Sequence, residues 1–425
     1  MSAGLPSTAR PCVLIVTGLF PTPGTYSFSG TFVVQQLQAL RQYYRVIALV
    51  PYVIRPRVLV RVLFPRCRAK DHGSDVYLLP CLPLTLVLPY AVGRLSGLTS
   101  RLPVSPDARS TLSGQLKRYL STVTIRVAER LHRQYGFALV HGHELFIGDE
   151  AATIGRRLGI PSIVTIHGLY DFHASVWGPA AMQAIVENLR RADYLLTVSE
   201  IARRTYAPRV NKPIHIISNG YTPARDRSIA PPDVLTFVQG RTVVLYVGFL
   251  VSSKRVDLLL EAVRVLRDNL GRQFCLLIVG AGTAQRSLEV LVDTHGLGGQ
   301  VRFEGEVDPS RMPAYYALAD FLVQPSASDS FSMVCLEAMA YGLPIICTAN
   351  VGMAEYIHDG IEGYVVRADD LEELTDRIRL LLTDERCRQA MGERARRRAR
   401  DFAWDVKIRE VVDFYAQVMD RATPP

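Results

Sequence analysis

The 425-residue chain predicts an α/β protein of two domains, each a parallel sheet flanked by helices. Three observations carry this. Short apolar runs of strand length alternate with longer stretches of helical pattern along most of the chain. A stretch holding three prolines and several charges, 222–240, interrupts that alternation near the middle and reads as a linker. The length itself suits two domains of ordinary size. The expected boundaries are 1–221, the linker at 222–240, 241–405, and a closing segment at 406–425.

In the first half, Cys12 to Phe20 (CVLIVTGLF) reads as a buried strand. A polar loop ending at Gly30 follows, then a helix from Thr31 to Arg41. Val46 to Val53 is the next strand, and 54–112 reads as irregular, basic and proline-bearing. Leu116 to Tyr135 has the period of an amphipathic helix. Phe137 to His141 is a short strand leading into Gly142-His143-Glu144. Ile160 to Ile166 is another, ending in His167-Gly168. Tyr194 to Ser199 and Ile214 to Ser218 complete this half. Both histidine positions follow predicted strands, the end of a parallel sheet where ligands bind.

In the second half, Arg241 to Gly248 and Phe274 to Gly280 read as strands. Gly280-Ala281-Gly282 suggests a dinucleotide fingerprint, but Gln285 stands where the third glycine is needed, so that fingerprint fails. Val301 to Gly305 is a further strand. Gln324 to Ile346 then reads strand, loop, helix, strand. The loop Ser328 to Ser332 opens a helix starting near Met333, whose backbone N–H groups and dipole favour an anion. Asp329 lies in this loop and Glu337 eight positions later, so one carboxylate reaches the reacting part of a ligand while the other holds its far end. Gly363 to Val366 is the last strand. Leu371 to Leu382, Asp384 to Arg400 and a stretch from Phe402 are helical, and the arginines of 394–400 read as a solvated face.

The net charge of +9 has a local origin. Residues 1–70 hold nine Arg or Lys and no Asp or Glu, while the other forty basic residues match forty acidic ones. Nucleic acid is not the expected partner; one positive surface is. The segment 52–70 alternates arginine with apolar residues, and 78–92 is apolar but broken by three prolines and shorter than the ~20 residues that span a bilayer. Contact with an anionic membrane surface is the expectation. Seven scattered cysteines, without a Cys-x-x-Cys pair or a Cys/His cluster, point to a reducing cytoplasm and to no structural zinc.

The segment 324–346, with its tail LEAMAYGLPII, resembles the E-x7-E motif of retaining, nucleotide-sugar-dependent glycosyltransferases of the GT-B fold, family 4. His141-Gly142-His143, the Thr165-Ile166-His167-Gly168 run, Asn219-Gly220-Tyr221 and Lys254 fit the same pattern, and Val351 to Glu355 resembles its G-G-x-x-E turn. The resemblance implies two Rossmann-like domains across a cleft, with a C-terminal helix at 406–425 returning to the first domain. It implies transfer of a sugar from a nucleotide-sugar donor to a hydroxyl, with no cofactor and no metal. His143, Asp329 and Lys254 become the catalytic candidates. Gly30, Thr31, Lys254, Arg255, Gly280, Gly282, Phe331, Ser332, Met333, Val334 and Glu337 become donor-binding candidates, and His167 an acceptor or cleft residue. The acceptor expected from the basic first domain is a lipid-linked or polysaccharide intermediate. Five positions depart from the family: Phe249 for Arg, Arg255 for Gly, Asp329 for Glu, Ser332 for Gly, and Val351 for Gly. Two other readings stay open, a nucleotide-sugar epimerase of the same fold and a degenerate binding subunit.

Overall fold

The computed structural model describes residues 10–18, 30–51, 68–71, 74–78, 106–170, 174, 178–222, 229–271 and 273–422. Most of the basic segment 52–70 and of the apolar stretch 78–92 lies outside them, so the membrane expectation does too.

The first domain holds β1 (Cys12–Thr17), α1 (Thr31–Leu40), β2 (Arg45–Val50), β3 (Arg68–Asp71), β4 (Ser74–Leu78), α2 (Pro106–Tyr135), β5 (Phe137–His143), α3 (Gly148–Leu158), β6 (Ser162–Ile166), α4 (Pro179–Arg191), β7 (Tyr194–Thr197), α5 (Glu200–Val210) and β8 (Ile214–Ile216). Its sheet runs β3-β4-β2-β1-β5-β6-β7-β8. Every pair is parallel except β3 with β4. That antiparallel edge pair is a correction, because 54–112 read as irregular. The chain also becomes helical at Pro106, ten residues before the expected start.

The second domain holds α6 (Pro232–Val238), β9 (Thr242–Val247), α7 (Val256–Leu270), β10 (Phe274–Val279), α8 (Gln285–Thr294), β11 (Val301–Gly305), α9 (Met312–Leu318), β12 (Phe321–Gln324), α10 (Met333–Ala340), β13 (Ile345–Thr348), β14 (Gly363–Val366), α11 (Leu371–Thr383) and α12 (Glu385–Ala399). Its sheet, β11-β10-β9-β12-β13-β14, is parallel throughout. The latter part of 222–240 is not open linker. Pro232 opens α6, where its missing N–H costs nothing, and Ala230, Val234 and Val238 join the second domain's core.

The central strands of each sheet are buried on both faces, as their near-continuous apolar runs require. In β1, Leu14 and Val16 pack on one side, and Val13 and Ile15 on the other. The last helix, α13 (Trp404–Ala422), lays Trp404, Ile408, Val411, Phe414, Tyr415 and Val418 into the first domain's core. The two chain crossings between the domains pair with each other: Tyr221 N–H donates to Phe402 O at 3.0 Å, and Trp404 N–H to Tyr221 O at 2.9 Å. Gly220 permits this approach, since a Cβ there would sit 2.7 Å from the Trp404 ring.

In the first sheet the strand order reverses between β1 and β5, in the second between β9 and β12. Ligands of such sheets bind beyond the strands at these switch points. Among the described residues no helix is long and apolar enough to cross a membrane.

Candidate functional site

The chain past β9 makes a short 3-10 turn, Ser252–Lys254, and that past β12 makes the loop bearing Asp329. Ala327 N–H donates to Ser253 O at 2.8 Å and ties the two together. Lys254 Nζ consequently lies 2.5 Å from Asp329 Oδ2, with the two side chains only 17% and 16% exposed. Asp329 Oδ1 also accepts from Phe331 N–H at 3.3 Å. The pair lines a hollow of about 250 Å³ between the domains. Gly280 and the Phe331–Val334 stretch opening α10 share that lining, with His167, Phe32 and Asn219 from the first domain. Eight of the expected site residues therefore meet there: Lys254, Gly280, Asp329, Phe331, Ser332, Met333, Val334 and His167.

Glu337, one helical turn beyond Val334, faces a second hollow of about 260 Å³. Thr31, Tyr221, Tyr316 and Tyr341 line it too. Glu337 Oε2 accepts from the Tyr316 hydroxyl at 2.7 Å, and the Tyr316 and Tyr341 rings stack at 5.4 Å. Burial pushes the Glu337 carboxyl up, and the Tyr316 bond acts the other way. The two hollows flank the first turns of α1 and α10, since Phe32 and Val334 line one, and Thr31 and Glu337 the other.

Four of the expected residues line neither hollow: Arg255, Gly282, Gly30 and His143, the last in contact with His167 of the first hollow. Arg255 sits at φ 51 at the start of α7. Its guanidinium pairs with Asp257 at 3.2 Å and with Asp369, and it lines neither hollow. Gly282 also lines neither hollow; a Cβ there would sit 2.3 Å from Leu250 O, so it serves a close approach of two loops. Gly30, at φ 99, opens α1 and accepts from Val33 and Val34 N–H, again without lining either hollow. Phe249, in place of the expected arginine, does line the first hollow and is 55% exposed. Ser332 adopts φ 71, a conformation that glycine meets without a Cβ cost.

His143 ends β5 and is buried, as is His141 two residues before it. His141 is fully committed, Nδ1 to the Tyr415 hydroxyl at 2.5 Å and Nε2 to Thr165 Oγ1 at 2.7 Å. His143 Nδ1 meets His167 Nε2 at 3.0 Å, with the rings stacked. The outer atoms, His143 Nε2 and His167 Nδ1, are buried without a partner. One proton lies between the two neutral rings, so of the outer atoms one is always a donor and the other an acceptor. Burial pushes His143 down to about 3 and holds His141 and His167 well below the usual range. Beside them Glu144 adopts φ 89, and burial raises its carboxyl to about 7. Strained, perturbed residues cluster at functional sites, and no local motif in the sequence marked Glu144. Nor did one mark Gln324, whose Oε1 is buried without a partner at the wall of the first hollow.

These histidines predict acid lability. A histidine kept neutral in the fold binds fewer protons than in the unfolded chain, so stability is lost as pH falls below 6.5, by about 1.4 kcal/mol per pH unit for each group. Glu144, raised, works in the opposite direction between its ordinary value and about 7. Three histidines against one carboxyl give an expected net loss of roughly 3 kcal/mol from pH 7 to pH 5. Urea melts at both pH values check it, and His143→Gln should shallow the dependence.

The comparisons with known proteins agree with this geometry. Residues 232–398 match the family described as Glycosyl transferases group 1, and residues 70–225 match Glycosyltransferase Family 4. Alpha-D-kanosaminyltransferase of Streptomyces kanamyceticus is 29% identical over 328 residues, covering 69% of this chain and 82% of that protein. Among solved structures, sucrose-phosphate synthase from Thermosynechococcus elongatus aligns with a TM-score of 0.74 at 20% identity, over 97% of this chain and 100% of that one. HepE of Anabaena, solved in complex with UDP-glucose, aligns with a TM-score of 0.69 at 16% identity, over 95% and 99% of the two chains. With both halves matched and the two-sheet architecture shared, the chain belongs to the group 1 glycosyltransferases of the GT-B fold.

Proposed function

We propose that the cleft transfers a sugar from a nucleotide-sugar donor to a hydroxyl acceptor with retention of anomeric configuration. The observation that carries this reading is the Lys254–Asp329 pair, held at 2.5 Å against the start of α10. A departing nucleoside diphosphate gains negative charge, which the ammonium and the N–H groups of Phe331 to Val334 stabilise. Donor binding exchanges the pair: Lys254 turns to the diphosphate, and Asp329 is freed to accept from a sugar hydroxyl. Glu337, in the adjoining hollow, holds the ribose hydroxyls after releasing Tyr316. His143 and His167 offer one donor and one acceptor to a hydroxyl. The leaving phosphate oxygen takes the acceptor's proton, so no strong base and no metal is required. HepE, solved with UDP-glucose, supports a nucleotide-sugar donor. The basic first 70 residues support a lipid-linked or polysaccharide acceptor at the cytoplasmic face of a membrane.

The test is a panel of nucleotide sugars scored for hydrolysis, followed by calorimetric titration with the matching nucleoside diphosphate. One donor hydrolysed, with the released sugar keeping its anomeric configuration, is the expected result. Release of an isomeric nucleotide sugar would favour an epimerase, and absence of nucleotide binding a degenerate subunit.

A further inference from the structure

The turn carrying Glu355 belongs to the second domain, yet its carboxylate is spent on the first. Glu355 Oε2 accepts from Glu200 N–H at 2.9 Å and Oε1 from Ile201 N–H at 2.8 Å. These are the opening residues of α5, whose first N–H groups have no partner within the helix. Ser199 already caps α5 conventionally, its Oγ accepting from Ala202 N–H at 3.2 Å. Glu355 satisfies the two donors that Ser199 leaves, and its charge complements the positive end of the helix. The neighbouring carboxylate of Glu200 does not compete, because Arg203 and Arg204 hold it at 2.6 and 2.9 Å.

A second set of contacts runs beside this one. Ser199 Oγ donates to Ser330 O at 2.5 Å, and Ser330 Oγ donates to His167 O. Ser330 adjoins Asp329. The Glu355 turn and the Asp329 loop are also tied together by backbone hydrogen bonds. Asp329 N–H donates to Asn350 O, Gly352 N–H to Asp329 O and Met353 N–H to Phe331 O, at 2.8 to 3.0 Å. Gly352 lets them touch: a Cβ there would lie 2.2 Å from Ser330 O.

We propose that Glu355 is a positioning residue: by capping α5 of the opposite domain, it sets the closed register in which the Asp329 loop faces His167 and His143. It touches no reacting atom. It acts through the loop, so its loss separates donor binding from transfer. This inference rests on the transferase reading for its kinetic consequence, but not for its structural one.

Glu355→Gln preserves volume while removing the charge and one of the two acceptors. A lost cap is worth a factor of about 2–30 in the equilibrium it supports, so turnover should fall by about tenfold. The KM for the donor should stay within a factor of about two, because the wall formed by Lys254, Asp329 and α10 is intact. Ser199→Ala should act in the same direction. Small-angle scattering of the full chain needs no substrate: Glu355→Gln should raise the radius of gyration, and amide exchange at Glu200 and Ile201 should quicken. An unaltered scattering curve with slow exchange at those amides overturns the proposal, as does unaltered turnover. Parallel loss of KM and turnover also overturns it, since that marks general damage. If the nucleotide-sugar panel finds no activity, the transferase reading fails, and scattering and exchange still decide the role of Glu355.

Discussion

Lys254→Ala is expected to lower turnover at least tenfold on whichever nucleotide sugar the panel selects. The argument is one of charge. Among the described residues lining the first hollow, Lys254 is the one cation, and Asp329 and Glu306 are carboxylates. The position expected to bring a second cation holds Phe249, and Arg255 is turned away to Asp257 and Asp369. A hydrogen bond to a charged group contributes about 1.5–3 kcal/mol, which is roughly 10- to 100-fold in rate. Removing Lys254 also leaves Asp329 without its counter-charge in a site it shares with an anionic leaving group. Lys254→Arg retains the charge and should keep more of the activity than Lys254→Ala. The measurement is nucleoside diphosphate release under saturating donor, and an unchanged rate in Lys254→Ala removes this residue from the mechanism.

Gly280→Ala is expected to cost on the order of 3 kcal/mol of stability, through a strained backbone and an overpacked contact. Gly280 follows β10 at φ 131, and a Cβ there would stand 1.9 Å from Gly248 O. Both partners are backbone, so neither can swing aside. Gly280 N–H is also fixed to Gly305 O at 2.7 Å, which holds three strand ends at the wall of the first hollow in register. Urea unfolding of the variant against the parent reads the cost directly. A loss below about 1 kcal/mol would mean that the loops after β9 and β10 can separate.

The central strands of the second domain were legible because both faces are buried and the runs are nearly unbroken: Thr242–Val247 and Phe274–Val279 stand where the apolar pattern places them. The edge pair β3–β4 escaped because RAKD and SDVYL carry no apolar run, and an edge strand needs none. Helix α6 escaped because prolines at 231 and 232 read as linker, although proline is at home in a first turn. In the site, the family resemblance pointed to Lys254 and Asp329, and the strand–loop–helix pattern pointed to the start of α10. Spacing could not show that Arg255 begins its helix with a left-handed residue. It could not show that Tyr316, 21 positions away, would hold Glu337, or that Glu355 would reach across to another domain. Those are tertiary partnerships, and nothing local in the chain records them.

The return of α13 has a consequence for how the protein is made. Trp404, Ile408, Val411 and Phe414 complete a core whose other members include Val13, Ile15 and Val33. The first domain emerges from the ribosome long before those residues exist. One flank of its sheet must wait, bare and adhesive, while the whole second domain is synthesised. Contacts so distant along the chain form slowly, and exposed apolar surface invites aggregation meanwhile. Keeping that flank covered until translation is complete is therefore expected to raise the yield of folded protein.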